Sequence, residues 1–155
     1  IPVGARQPRT CDTKVYVHGG CCFLPLSAVP RNADGVQRYK ILIPRSGNPG
    51  GTVIGRPKLS EPGSCSSNTY VVVLPPDRPF TEEGAENCLS YIRTKFFRYL
   101  VSIRTSTQDT PPKAYVFVPV QDFSHPWTDQ MLYEKYALSE KEIQVIERTI
   151  PPMEG

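Results

Sequence analysis

The stretch Thr81-Glu82-Glu83-Gly84-Ala85-Glu86-Asn87-Cys88-Leu89-Ser90-Tyr91-Ile92-Arg93-Thr94-Lys95-Phe96-Phe97-Arg98-Tyr99-Leu100-Val101-Ser102-Ile103-Arg104 decides the fold class. Ala85, Leu89, Ile92, Phe96, Tyr99, Leu100 and Ile103 recur three and four residues apart, a spacing that puts them on one helical stripe. Thr81 is a natural N-cap, and Glu82, Glu83 and Glu86 stand where the helix dipole favours negative charge. Arg93, Lys95, Arg98 and Arg104 stand toward the end that favours positive charge. The stretch predicts one long helix.

Upstream the period shortens. Val15 to His18 before Gly19-Gly20, Cys22 to Leu26 before Pro30, Tyr39 to Pro44 and Tyr70 to Leu74 before Pro75-Pro76 read as short strands closed by turn residues. Asp34-Gly35 is a further turn signal, and Gly47 to Gly51 reads as a hairpin loop, since no Lys-Ser/Thr follows to make it a phosphate loop. Downstream, Ala114 to Val118 is apolar and β-branched and predicts a strand. Two short helices close the chain: one from about Thr128 to Tyr136, and one opened by the capping box Ser139-x-x-Glu142 with Ile143, Ile146 and Ile150 on one face. Trp127, Leu132, Tyr133 and Tyr136 read as packing residues. The expected architecture is α+β: a mixed or antiparallel sheet of short strands, one long helix and a C-terminal helical pair.

At 155 residues and 17.3 kDa the chain has the length of a single domain, residues 1–155, expected to be a fragment of a longer protein. Its halves differ. Residues 1–80, a basic strand-and-loop half, hold ten Lys and Arg against four Asp and Glu, and 11 of the 17 prolines. Residues 81–155, the helix-rich half, hold eight against eleven, so a net +3 conceals +6 and −3. A basic, loop-rich half is a candidate electrostatic footprint for a polyanion, although an unpatterned surface yields such a bias too. No apolar run is long enough to span a membrane.

The five cysteines, at 11, 21, 22, 65 and 88, include no Cys-x-x-Cys pair. They suit neither a zinc ribbon nor a disulfide framework, and mostly buried, reduced thiols in a cytoplasmic protein are expected. Catalytic constellations are missing. Gly63-Ser64-Cys65-Ser66 is no nucleophile elbow, His18 and His125 lie in strand-end and Pro-flanked contexts that give neither an obvious base role, and the carboxylates gather in helix first turns and on the C-terminal helices rather than at strand ends. None of the double prolines, Leu74-Pro75-Pro76-Asp77, Thr110-Pro111-Pro112-Lys113 and Ile150-Pro151-Pro152-Met153, joins a preceding Asn, Asp or Ser to a following aromatic as an adenine-holding motif requires. No cofactor is expected in the chain itself.

Ala85-Glu86-Asn87, Tyr91-Ile92-Arg93-Thr94-Lys95-Phe96-Phe97-Arg98-Tyr99-Leu100, Thr107-Gln108 and Phe117-Val118-Pro119-Val120-Gln121-Asp122-Phe123 follow one another in the helix-rich half. So do Trp127-Thr128-Asp129, Leu132-Tyr133-x-Lys135-Tyr136-x-Leu138, Glu142-Ile143, Ile146-Glu147 and Ile150-x-x-Met153. With Tyr39 to Pro44, Pro62-Gly63-Ser64 and Thr69-Tyr70 upstream, these runs resemble the C-terminal region of bacterial restriction-modification proteins of the adenine-specific DNA methyltransferase type, including fused type IIG enzymes. The resemblance spans roughly residues 36–153 and is weakest over residues 1 to about 35.

It implies a target-recognition region that binds double-stranded DNA beside an N-terminal methyltransferase core, with S-adenosylmethionine used by that core and not by this fragment. Lys, Arg and hydroxyl side chains position such a protein on phosphates, and Arg, Lys, Asn and Gln read base edges. The DNA-contact candidates are then Arg31, Arg38, Lys40, Arg45, Arg56 and Lys58, with Ser64, Ser66 and Asn68, and Lys95 and Arg98 on the helix. Lys95 and Arg98 suit a solvated helix face equally well. The alternative to DNA recognition is a module that docks the core or a partner subunit, which the acidic C-terminal helices favour.

Overall fold

A computed structural model describes residues 12–46, 51–105 and 109–153. The fold is α+β, with six strands in two sheets and four α-helices among these residues. Strands β1 (Asp12–Val17) and β2 (Gly20–Pro25) form an antiparallel hairpin. Gly19 turns it at φ +77, a backbone angle that side chains other than glycine's adopt at a cost. The short β5 (Ser64–Ser66) adds to β1 in parallel, giving the order β2-β1-β5. The second sheet is antiparallel, with β3 (Lys40–Pro44) between β4 (Lys58–Ser60) and β6 (Tyr70–Val73).

Each predicted strand upstream of residue 80 has its counterpart here. β4 and β5, at three residues each and polar, carry too little pattern to be read beforehand. Asp34-Gly35 lies in a 3-10 turn, Ala33–Gln37, rather than in a tight hairpin. The Gly47 to Gly51 loop lies, apart from Gly51, outside the described residues.

The predicted long helix is two helices. α1 (Glu82–Arg93) begins at Thr81, whose hydroxyl accepts from Gly84 N, and ends at Thr94; α2 (Lys95–Arg104) begins at that same Thr94. Thr94 is extended at φ −62, ψ 152, its Oγ1 donating to Tyr91 O at 2.7 Å and accepting from Phe97 N at 3.1 Å. A helix end leaves orphan N–H and C=O groups, and other residues take these up. The Asp129 carboxylate accepts from Lys95 N and Phe96 N at 3.1 and 2.8 Å, while Arg98 Nε donates to Arg93 O and Thr94 O, both at 3.2 Å. A periodicity that counts only apolar spacing passes over such a break, because the stripe resumes beyond it. Ile103, assigned to that stripe, is 55% exposed.

The predicted strand at Ala114 to Val118 is also replaced. Pro112–Tyr115 forms a 3-10 turn with Pro112 in its first position, where a missing N–H costs nothing. The turn buries Ala114 and leaves Val116 and Phe117 exposed. The closing helices α3 (Asp129–Lys135) and α4 (Glu140–Thr149) agree with expectation, and the capping box between Ser139 and Glu142 is formed. Ile41, Ile43 and Ile54 meet Tyr91, Ile92, Phe97, Val101, Leu132 and Ile146 in the principal core. Trp127, Leu132 and Tyr133 are buried, whereas Tyr136 stacks on Phe96 at 5.1 Å and stays partly exposed. The first sheet stands apart from this core, burying Val15 and Leu24 on a separate patch. No described helix is long and apolar enough to cross a membrane.

Candidate nucleic-acid interface

Alternation along β1 sends Thr13 and Val15 inward and Lys14 and Tyr16 toward the opposite face. That face meets the second sheet. Lys58 of β4 lies with Nζ 4.4 Å from the Tyr16 ring centre and 4.8 Å from that of Tyr70 on β6, so one ammonium is held between two aromatic faces. The Tyr70 hydroxyl reaches back to donate to Val17 O at 3.4 Å, tying the sheets together.

Beside this pair, Lys14 Nζ donates to the Tyr16 hydroxyl and to Glu61 Oε1, both at 2.9 Å, and the Tyr16 hydroxyl donates to Glu61 Oε2 at 2.8 Å. The bonds to Tyr16 and Glu61 hold the Lys14 pKa above its ordinary value, so its charge persists at any physiological pH. Burial raises the Tyr16 phenol. Burial works to raise the Glu61 carboxyl as well, but its own backbone N–H and the Lys14 and Tyr16 donors outweigh it and leave the pKa lowered.

At the end of the second sheet a recess of about 470 Å³ opens between His18, Pro44, Arg45, Asn68, Tyr70 and Asp109. Arg45 pairs side-on with Asp109, Nε to Oδ1 at 3.2 Å and Nη2 to Oδ2 at 3.0 Å. Gly55 lets the chain pass close by, since a Cβ there would lie 2.6 Å from Pro44 Cβ. The ridge and recess together hold two lysines, an arginine, a histidine and an amide, with the carboxylates of Glu61 and Asp109, around two tyrosine rings.

The expected contact residues divide sharply. Arg45, Lys58 and Asn68 come together at this ridge and recess, and half-buried Ser66 lies opposite Tyr16 on β5. Arg31 and Arg56 are exposed and do not line the recess, and the Arg38 guanidinium is turned to the carbonyl of Pro75. Three candidates are corrected to internal roles. Lys40 is 3% exposed, because β3 is central and covered on both faces; its Nζ donates to Val36 O and Arg38 O at 3.3 and 2.9 Å, and burial lowers its pKa. Ser64 is fully buried with its hydroxyl 2.6 Å from that of Ser60. Arg98 is 1% exposed, since the break at Thr94 changes the phase of the second helix and turns this position inward. Its Nη1 donates to Pro151 O at 2.8 Å, and burial lowers its pKa. Lys95 is spent on Glu147, which also accepts from the Tyr133 hydroxyl at 2.8 Å.

Lys14, Tyr16, His18, Tyr70 and Asp109 were missed as site residues. The alternation Lys14-x-Tyr16-x-His18 was a signal for three of them, but the approach of Tyr70 and Asp109 depends on sheet pairing. Of the described cysteines only Cys88 is buried, while Cys22 and Cys65 are half-buried and Cys21 is exposed, so the expectation of mostly buried thiols does not hold. Among the described residues no group of three or more His, Cys, Asp or Glu is arranged to hold a metal ion.

A second feature lies on the other side of β6. An apolar groove of about 960 Å³ runs between Val71 and Val73, Phe80, Tyr91 and the segment from Tyr115 to Phe123. Val72, Val116, Phe117 and Val120 are exposed nearby, Val120 to 89%. No protein-family model, no curated protein and no solved structure matches the chain.

Proposed function

We propose that this chain is the sequence-recognition domain of a bacterial restriction-modification adenine-N6 DNA methyltransferase, acting in the cytoplasm. It holds duplex DNA for a catalytic core elsewhere in the parent protein, so that the core can extrude and methylate adenine with S-adenosylmethionine. In this reading the chain itself is not the enzyme; the parent is, either alone or fused to an endonuclease. The observation that carries the reading is the ridge where Lys14 and Lys58 flank Tyr16 and Tyr70 beside Arg45, His18 and Asn68. The resemblance of residues 36–153 to the C-terminal part of such proteins supplies the reaction class. Duplex binding by the chain is expected to weaken steeply with salt, by about 0.9 log units per log unit of salt for each phosphate contact. Absence of salt-dependent binding to any duplex would count against the reading.

A second reading has its own support. The apolar groove along β6, with exposed Val120 and Phe117, favours a face that docks the core or a partner subunit. The two readings occupy opposite sides of the second sheet and are compatible. Val120→Asp is expected to abolish docking and leave duplex binding unchanged if both hold.

A further inference from the structure

We infer that Arg45, locked by Asp109, reads a guanine in the major groove; this rests on the DNA-recognition reading above. The pairing with Asp109 uses the Nε–H and one N–H of Nη2. Guanidinium carries five N–H donors in a fixed plane. The pairing therefore leaves the outer N–H of Nη2 and both of Nη1, and Nη1 has no partner among the described residues. What remains open among the described residues is the end-on fork, two parallel donors held in one orientation.

The fork is anchored from behind. Arg45 N donates to Thr69 O at 2.9 Å, and its own carbonyl accepts from Thr110 N and Thr110 Oγ1 at 2.7 and 2.8 Å. Ser46 and Asp109 face each other across an isolated antiparallel bridge. Arg45 and Asp109 are thus fixed by backbone on both sides, next to Asn68 and His18 at the recess. An ion pair this exposed, with side chains 38% and 54% accessible, contributes little to stability. Its main effect is to restrict the rotamers of a long, otherwise mobile side chain.

Two parallel donors match a phosphate or the O6 and N7 acceptors of guanine. Charge separates the two. The Asp109 carboxylate offsets the cation and repels an approaching phosphate, but a neutral base edge incurs no such repulsion. Phosphate contact falls instead to Lys58, which has no carboxylate partner among the described residues, whereas Lys14 is offset by Glu61.

The test is selection from a pool of duplexes with a randomised centre, using the 155-residue chain as wild type, Arg45→Lys and Asp109→Asn. Thermal melts would first verify that each variant is folded. The wild type is expected to enrich a motif with an invariant guanine. Arg45→Lys keeps the charge and loses the planar fork, so preference for that guanine falls about tenfold or more while the other positions persist. Asp109→Asn is expected to blur the same position and to raise overall affinity at low salt. An unchanged guanine preference in Arg45→Lys would overturn this inference and leave the DNA reading standing. A wild-type pool no different from the starting pool would remove the DNA reading and the inference with it.

Discussion

The helical side and the strand-built ridge hold basic residues of the same kinds and employ them differently. On α2 two cations are consumed internally: Arg98 serves carbonyls at the helix break and at Pro151, and Lys95 serves Glu147. On the ridge Lys14 is likewise paired with Glu61, but Lys58 lies between the Tyr16 and Tyr70 rings with no carboxylate partner among the described residues, and Arg45 keeps three of its five donors unpartnered among them. Whether a cation is available to a ligand is decided by the acceptors, carbonyl or carboxylate, around it, not by its position on a charge map.

The strongest way to break that contrast is to remove Arg98. Each buried carbonyl left without a donor costs about 1–3 kcal/mol. Arg98→Met is therefore expected to lose about 3 kcal/mol or more in a denaturant titration; a loss below 1 kcal/mol would mean that the side chain is not holding the helix junction.

Alkali attacks the same side. Burial pushes Cys88 up to about 12 from an ordinary 9.0, and Tyr91 and Tyr115 up to about 12 from 10.0. The native state retains these protons after the unfolded chain has lost them, so their stabilisation is complete below pH 9 and is lost between about 9 and 12. Cys88→Ala is expected to reduce the loss that begins near 9 without abolishing it, since burial also raises the Cys65 thiol from 9.0, checked by denaturant midpoints across the range.

Smaller still is the cap at the junction. Thr94→Ala removes a hydroxyl bonded in both directions and is expected to cost about 1–2 kcal/mol. At the ridge, Lys58→Gln is expected to cost less than about 1 kcal/mol, because the side chain is only half-buried and its partners are the Tyr16 and Tyr70 rings. A larger loss there would mean that the ridge, like the helices, spends its lysines on folding.

The sequence was informative where structure is local. Strand alternation, the Thr81 cap and the Ser139-x-x-Glu142 box each depend on a few adjacent residues, and each is present. It was misleading where distant residues intervene. The stripe from Ala85 onward concealed the break because the donors and acceptors that stabilise it include Asp129, some thirty residues away. Composition likewise pointed to the basic half but could not sort Lys40 from Lys58, since central and edge strands differ only through pairing. Arg45 was legible as a basic residue after a strand; its orientation was not, because Asp109 lies on a different connection.

The central claim is that the ridge cations, and not those of the helical side, reach DNA. The direct measurement is the slope of log affinity against log salt for one duplex, with wild type, Lys58→Gln and Lys95→Gln. Lys58→Gln is expected to flatten the slope by about 0.9, and Lys95→Gln to leave it unchanged. A slope untouched by Lys58→Gln, or flattened by Lys95→Gln, would contradict the claim.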